Sequence, residues 1–83
     1  MAYTVYILYS KQSDKYYVGH TDNLTRRIEE HNSGQTRYTS ATASDWRVVY
    51  TQQFATRSDA MKREREIKHK KSRRYIEWLV QSG

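Results

Sequence analysis

The sequence has no cysteine and no proline among its 83 residues, and it has only three glycines. The absence of cysteine excludes disulfide bonds and thiolate metal sites, whereas the absence of proline carries no functional implication. No apolar run approaches the length of a membrane span, since the longest extends only from Val5 to Tyr9. The start, Met1-Ala2-Tyr3, does not resemble a signal peptide. We therefore expect a soluble, cytoplasmic protein.

The composition limits the size of the hydrophobic core. A chain of 83 residues with 36% apolar content can build one modest core, and eight tyrosines supply much of its area. No internal repeat, low-complexity tract or linker divides the sequence. Residues 1–83 are therefore expected to form a single domain.

The positive charge is concentrated in the last third of the chain. Residues 1–55 contain six Lys/Arg and five Asp/Glu, whereas residues 56–83 contain nine Lys/Arg and four Asp/Glu, for a total net charge of +6. A concentrated positive charge attracts polyanions, and nucleic acid is the first candidate. The alternative explanation is that the charge serves solubility alone.

Hydrophobic periodicity predicts six secondary-structure elements. The predicted strands are Tyr3–Ser10, Lys15–His20 and Trp46–Phe54. The predicted helices are Asn23–Asn32, a second from the capping residues at Thr56–Asp59 to about Lys70, and a third with Tyr75, Ile76, Leu79 and Val80 on one stripe. Residues 34–45 are expected to form a polar loop. The order β-β-α-β-α-α predicts an α+β fold, with a small three-stranded antiparallel sheet flanked by helices.

An arginine and a histidine lie on the apolar stripe of the first predicted helix. The stripe consists of Leu24, Arg27, Ile28 and His31, at spacings of three and four. Arg27 and His31 therefore border the core-facing side of this helix. The simpler interpretation of Arg27 is that its long side chain extends past the core to reach water.

Glu64 lies on the core-facing side of the second predicted helix. Ala60, Glu64 and Ile67 fall at positions i, i+4 and i+7, so the acid stands where packing would favour leucine. A carboxylate near a core must be paired, hydrogen-bonded or metal-bound, because its desolvation costs several kcal/mol. Pairing with Arg27 and coordination of a metal ion both remain open.

Tyr6 and Tyr17 stand on neighbouring predicted strands. Tyrosines in strands most often serve cross-strand packing. Gly19 follows Tyr17 inside the strand pattern, which indicates a close backbone approach or a bulge. The three histidines are too scattered in the sequence to predict a metal cluster: His20, His31 and His69.

Together these residues resemble a stand-alone GIY-YIG nuclease domain. The resemblance is to small single-domain proteins related to the N-terminal nuclease domain of the excision-repair endonuclease. Thr4-Val5-Tyr6 is similar to the first family motif and Tyr17-Val18-Gly19 to the second, with ten residues between Tyr6 and Tyr17. Thr4 stands where the family has a glycine. Further similar segments are Asn23–Ile28, His31–Gly34, Tyr38-Thr39, Ala60–Glu64 and Ile67-Lys68.

The resemblance implies a metal-dependent phosphodiesterase. Glu64 would bind a single divalent cation, Mg²⁺ in the first place and Mn²⁺ as the alternative. Arg27 would hold the scissile phosphate, because its planar guanidinium suits two oxygens at once. Tyr6 would act as the general base for the attacking water, assisted by Tyr17. Nearby cations would then have to lower the Tyr6 pKa from about 10 towards 7.

Two histidines complete the implied catalytic set. His20 and His31 correspond to further polar site residues of the family, and either is able to accept or relay a proton. The tail asparagine of the excision-repair branch has no counterpart among Lys71, Ser72 and Arg73.

The basic segment 62–74 is expected to contact the phosphate backbone without reading bases. Its cationic residues assigned to this contact are Lys62, Arg63, Lys68, Lys70, Lys71, Arg73 and Arg74. The expected function is a metal-dependent endonuclease of low sequence specificity, with DNA as the favoured partner and repair or recombination as the context. The need for a targeting protein and the oligomeric state stay open.

Two other functions remain open. One is a nucleic-acid-binding module of the same fold with weak or no catalysis. The other is an interaction domain in which an Arg27–Glu64 pair is purely structural.

Overall fold

A computed structural model of the chain describes residues 2–33 and 45–82. In chain order the described elements are β1 Tyr3–Ser10, β2 Lys15–Thr21, α1 Leu24–Ser33, β3 Arg47–Phe54, α2 Arg57–His69 and α3 Arg73–Ser82. This order confirms the predicted α+β fold, and the boundaries of the three strands and of the first two helices differ from the predicted ones by about one residue. Apart from Asp45, the expected loop 34–45 lies outside the described residues.

The three strands form an antiparallel sheet in the order β2-β1-β3. β1 is therefore central, and β2 lies at one edge of the sheet. The register places Tyr6 opposite Gly19 on β2 and opposite Thr51 on β3. This register brings the two tyrosine motifs of the hairpin together.

Helices cover both faces of the sheet, so β1 is buried on both sides. On one face, Val5, Ile7 and Val18 pack with residues of α2 and α3: Ala60, Ile67 and Leu79. On the other face, Tyr6 and Leu8 pack with Trp46 and with two residues of α1: Leu24 and Ile28. This double burial explains why β1 alternates between two apolar sets and has no polar face.

Side-chain caps define where α1 and α2 begin. The Asn23 Oδ1 accepts a hydrogen bond from the Arg26 backbone N–H at 3.1 Å. The Thr56 Oγ1 accepts one from the Asp59 backbone N–H at 3.2 Å. Such caps satisfy N–H groups that lack a partner within the helix. No helix within 2–33 and 45–82 has the length and apolar content needed to cross a bilayer.

The hairpin turn is tied to the start of α3. Asp14 adopts a positive φ of 53°, which aspartate tolerates better than most residues. Its Oδ1 accepts hydrogen bonds from the Arg73 Nη2 at 2.6 Å and from the Tyr9 hydroxyl at 2.8 Å. The turn and α3 therefore have a fixed relative position beside the edge strand.

Candidate active site

Tyr6, Tyr17, Arg27 and His31 form one cluster on the α1 side of the sheet. The Tyr6 side chain is buried, and its hydroxyl oxygen lies 3.1 Å from the His31 Nε2. The same oxygen accepts a hydrogen bond from the Arg27 Nε at 3.4 Å. The Tyr17 ring lies 4.7 Å from the His31 ring, measured between centroids. The structure thus joins two strand residues to two residues of the α1 stripe.

Gly19 makes room for the Tyr6 hydroxyl. A Cβ atom at this position would lie 2.7 Å from the Tyr6 oxygen and 3.1 Å from Cε1 of Tyr17. Because the Tyr6 ring is buried and rigid, it cannot move aside cheaply. The close approach expected at Gly19 is therefore present, and it concerns the two site tyrosines.

Burial controls the protonation of this cluster. Loss of solvent raises the pKa of Tyr6 to about 12, although the hydrogen bond from Arg27 acts in the opposite direction. Burial also lowers the pKa of His31 to about 4, and the positive charge of Arg27 adds to that effect. At neutral pH, Tyr6 is a phenol and His31 is a neutral imidazole.

The expectation that neighbouring cations lower the Tyr6 pKa towards 7 is therefore not met in this structure. Only Arg27 hydrogen-bonds to the Tyr6 hydroxyl among the described side chains with a positive charge. Its contribution is smaller than the cost of desolvating a phenolate inside the core. The Glu64 carboxylate raises the Tyr6 pKa a little further.

Glu64 forms a second cluster with His20 and Lys68. Its Oε1 lies 2.6 Å from the His20 Nδ1, and its Oε2 accepts a hydrogen bond from the Lys68 Nζ at 2.8 Å. Burial opposes ionisation of Glu64, but the hydrogen bonds from Lys68 and His20 outweigh it, so the pKa of this carboxyl lies below its ordinary value. Glu64 is accordingly a carboxylate at neutral pH.

The Arg27–Glu64 pair that the sequence left open is not formed. Arg27 instead donates to the Glu30 Oε1 at 3.1 Å, one turn further along α1. Because Glu64 has His20 and Lys68 as partners, an interaction domain built around an Arg27–Glu64 pair is not supported.

The two clusters meet at β2, the edge strand. His20 follows Gly19 on β2, and its side chain points to the opposite face from Tyr17 and Gly19. The Lys68 Nζ lies 5.9 Å from the Tyr17 ring centroid while it contacts Glu64. The candidate site thus extends around the edge of the sheet, with Lys68 between its two parts.

Beside Glu64 lies a cavity with a volume of about 400 Å³. It is lined by His20, Met61, Glu64, Arg65, Lys68 and His69. The described ranges contain no group of three or more His, Cys, Asp or Glu side chains arranged to hold a metal ion. A single carboxylate beside an open cavity suits a hard cation that keeps most of its water ligands, as Mg²⁺ does. Each Glu64 oxygen has one hydrogen-bonding partner and a second lone pair with which it could bind such an ion.

The basic residues assigned to nucleic acid lie on more than one side of α2 and α3. Lys68, Lys71 and Arg73 line one cavity beside β2. Arg63 faces β3, where its Nε donates to the Gln52 Oε1 at 3.1 Å. Lys70 lies over the Tyr75 ring, and Arg73 is bonded to Asp14. Two further cations are exposed: Lys62 and Arg74.

Sequence reasoning missed the contact between Lys68 and Glu64. Their spacing of four positions on one helix is a signal for such a pair, because residues i and i+4 are neighbours on a helix surface. The contact of His20 with Glu64 had no comparable signal, since 44 positions separate the two residues.

Comparison with known proteins relates the whole chain to one family. A family model described as the GIY-YIG catalytic domain matches residues 2–76. A UPF0213 protein from Halalkalibacterium halodurans is 39% identical over 80 residues, which cover 96% of this chain and 83% of that protein. A UPF0213 protein from Natronomonas pharaonis is 38% identical over 64 residues, covering 77% of this chain and 74% of that protein.

A solved structure agrees with this relationship. The solution NMR structure of a UPF0213 protein from Bacillus halodurans is similar with a TM-score of 0.60 and 38% sequence identity. The similarity covers 98% of this chain and 84% of that chain. The likeness therefore extends over nearly all of the chain.

Proposed function

Because the chain belongs to the GIY-YIG catalytic domain family and, within it, to the UPF0213 group, we propose that it is a metal-dependent endonuclease that hydrolyses phosphodiester bonds. The family is one of nuclease domains, and its nucleases generally use a divalent metal ion. The observation that carries the proposal is a pair of contacts at neighbouring residues of β2: Arg27 hydrogen-bonds to Tyr6, which lies opposite Gly19, and Glu64 contacts His20. DNA is the proposed substrate, in a repair or recombination context, with low sequence specificity.

Arg27 is the proposed phosphate ligand. Its side chain is 37% exposed, and its guanidinium is held in place by Tyr6 and Glu30. The hydrogen bond to Tyr6 raises the pKa of Arg27, so the group stays charged. A fixed, charged guanidinium has further N–H donors to offer to phosphoryl oxygens.

Glu64 is the proposed metal ligand, with Mg²⁺ as the first choice and Mn²⁺ as the second. When bound, the ion would supply positive charge to the phosphoryl oxygens and to an attacking water. Lys68 would keep a second contact, since its ammonium also lies 5.9 Å from the Tyr17 ring centroid.

Tyr6, with His31 behind it, is the proposed proton acceptor. The Tyr6 pKa of about 12 would make a poor base near pH 7. Because the Glu64 carboxylate contributes to that high pKa, neutralising the charge on Glu64 would lower it. His31 holds the Tyr6 oxygen at 3.1 Å, so the phenol stays oriented towards Arg27. Tyr17 supports this geometry through its contact with the His31 ring.

A second function, a nucleic-acid-binding module with weak or no catalysis, has one specific observation in its favour. Both oxygens of Glu64 already have partners, His20 and Lys68, and Tyr6 is a stable phenol. With Glu64 paired and Tyr6 protonated, the site would bind a phosphate through Arg27 but would lack a strong base to activate water.

Nicking of supercoiled plasmid DNA in Mg²⁺ or Mn²⁺ tests the proposal. The native chain is expected to nick, and Glu64→Gln is expected to reduce the rate by about a hundredfold or more, because the substitution removes the charge that would hold the metal ion. Glu66→Gln is the matched control: it is the same substitution on the same helix, at a side chain that is 55% exposed. This control is expected to nick like the native chain, and chelation of the metal is expected to stop both.

Each other outcome has a definite meaning. Equal nicking by the native chain and Glu64→Gln contradicts the proposal and indicates a contaminating nuclease. If no variant nicks but all retard DNA at low salt, the binding module is the correct function.

A further inference from the structure

A larger cavity, with a volume of about 670 Å³, lies on the other side of Lys68 from Glu64. It is formed between the edge strand β2 and the junction of α2 with α3. We call it the β2-edge pocket and define it by Tyr16, Tyr17, Val18, Lys68, Lys71 and Arg73. Its volume falls within the range of small-molecule sites, which is about 300–1,000 Å³.

The inner part of the β2-edge pocket offers flat and apolar surfaces. Val18 and Ile67 are buried at its base, and the Tyr16 ring forms part of its wall. The Arg73 guanidinium lies 5.4 Å from the Tyr16 ring centroid, and the bond to Asp14 fixes its orientation. Aromatic rings and guanidinium planes are the surfaces on which proteins stack unpaired bases.

The rim of the β2-edge pocket is positively charged. Lys15 and Lys71 are exposed there, and Lys68 stands at the end nearest Glu64. Asp14 is the one acid of this lining within the described residues, and it is bonded to Arg73. The rim therefore favours an anionic ligand, while the interior favours a flat apolar one. A nucleotide combines both properties.

Two residues belong to both the pocket and the candidate active site. Lys68 contacts Glu64 at 2.8 Å, and Tyr17 packs against His31 at 4.7 Å between ring centroids. We propose that the β2-edge pocket binds one unpaired nucleobase of the strand that is cut, next to the scissile phosphate. This inference rests on the proposed nuclease function and adds a substrate class: nucleic acid with an unpaired nucleotide beside the cleaved bond.

A base that is paired and stacked inside a duplex cannot enter the β2-edge pocket. A base reaches it only if it is already unpaired or is rotated out of the helix, and the second route costs a few kcal/mol of pairing and stacking. A strand with a bulged nucleotide avoids most of that cost. The pocket therefore distinguishes bulged from fully paired DNA without reading sequence.

An acidic peptide is the competing ligand class. It would add a strand to the open edge of β2 and pair with the lysines. The base is favoured because the lining includes an aromatic ring with a guanidinium packed over it, and because the pocket shares Lys68 with the metal-ligand cluster. A peptide strand along the edge would use neither feature.

Binding of DNA with one 2-aminopurine tests the proposal in the absence of metal. The full chain carrying Glu64→Gln is mixed with a duplex that has 2-aminopurine as a single bulge or, in the comparison, fully paired. The bulged duplex is expected to bind about tenfold more tightly, because base stacking on protein is gained. Acrylamide is expected to quench the bound bulged 2-aminopurine severalfold less than the free one.

Two lysine variants separate the pocket from general charge. Lys71→Glu reverses a charge on the pocket rim, whereas Lys11→Glu makes the same change at an exposed residue of the hairpin turn that does not line the pocket. Lys71→Glu is expected to abolish the preference and the acrylamide protection, and Lys11→Glu to keep both. Tyr16→Leu, checked for folding by circular dichroism, removes the ring and is expected to reduce the protection.

Several results would overturn the proposal. Equal affinity for bulged and paired DNA without protection excludes a base in the pocket, and so does an equal loss in the two lysine variants. Displacement of bound DNA from β2 by a polyglutamate peptide, without protection of the base, would assign the pocket to an acidic protein. None of these measurements requires cleavage. The nuclease proposal is therefore tested separately, by the plasmid-nicking assay.

Discussion

Gly19 and Tyr6 show how one missing side chain positions another. Tyr6 is opposite Gly19 in the hairpin register, and its hydroxyl occupies the space where a Cβ atom would lie. The hydroxyl can therefore reach both Arg27 and His31. Every larger residue at position 19 would force the phenol away from the two partners that orient it.

His31 gives this protein a stability that depends on pH. The side chain is fully buried, and the groups of the described residues that act on it include the Tyr6 hydroxyl, the Tyr17 ring, the Arg27 guanidinium and the Glu30 carboxylate. The folded chain protonates His31 only near pH 4, whereas the unfolded chain does so near 6.5. The stabilisation is therefore complete above pH 6.5 and is lost as the pH falls towards 4. The loss amounts to at most about 3 kcal/mol.

Urea denaturation at several pH values between 4 and 7.5 measures this loss. The native chain is expected to lose stability more steeply with falling pH than His31→Gln, which has no proton to gain. Carboxylates titrate in both proteins, so only the difference between the two curves is attributed to His31. Parallel curves would show that His31 is protonated at its ordinary pKa in the folded state.

At the scale of elements, the position of each residue around the axis of α2 decides which strand its side chain faces. Thr56 caps the helix, and Ala60 and Ile67 turn its apolar side to the sheet. Glu64 and Lys68 then fall on the flank next to β2, whereas Arg63 falls on the flank next to β3. One basic helix therefore presents only part of its charge to the candidate site.

The position of α3 depends more on its apolar stripe than on its salt bridge to the hairpin. Leu79 is buried in the core, whereas Arg73 and Asp14 are 49% and 64% exposed at their side chains. Leu79→Ala is expected to lower the free energy of unfolding by about 2–5 kcal/mol. Asp14→Asn, which keeps the positive φ acceptable, is expected to have a much smaller effect.

Urea denaturation of the two variants checks this order. The m-value, which reports the surface exposed on unfolding, should stay unchanged if both variants fold to the same structure. If Asp14→Asn destabilises the protein as much as Leu79→Ala, the salt bridge contributes as much as the core packing to holding α3 in position.

At the scale of the whole molecule, the net charge of +6 suits either nucleic-acid binding or solubility alone, and the salt dependence of DNA binding distinguishes the two. If Lys68, Lys71 and Arg27 neutralise phosphates, the logarithm of the DNA-binding constant is expected to fall with the logarithm of salt concentration at a slope of about −2 to −3. Fluorescence anisotropy of labelled DNA with Glu64→Gln measures this slope, and circular dichroism over the same salt range confirms that the protein stays folded. A slope near zero would assign the charge to solubility alone.

The sequence by itself determined the elements and the chemistry of their residues. Period-two and helical patterns, together with capping residues before the first two helices, predict the three strands and these two helices to within about one residue, because these signals act over short distances along the chain. The same patterns marked Arg27, His31 and Glu64 as polar residues on core-facing stripes. Their position next to a core is a local property of each helix.

Only the tertiary structure decided which of these residues meet and how they ionise. Glu64 contacts His20 across 44 positions, Tyr6 contacts His31 across 25, and Arg27 contacts Tyr6 instead of Glu64. Burial, which no local pattern measures, raises the pKa of Tyr6 and lowers that of His31. The packing of α1 and α2 against opposite faces of one edge strand produces these contacts, because side chains distant in sequence become neighbours only when the sheet is covered on both sides.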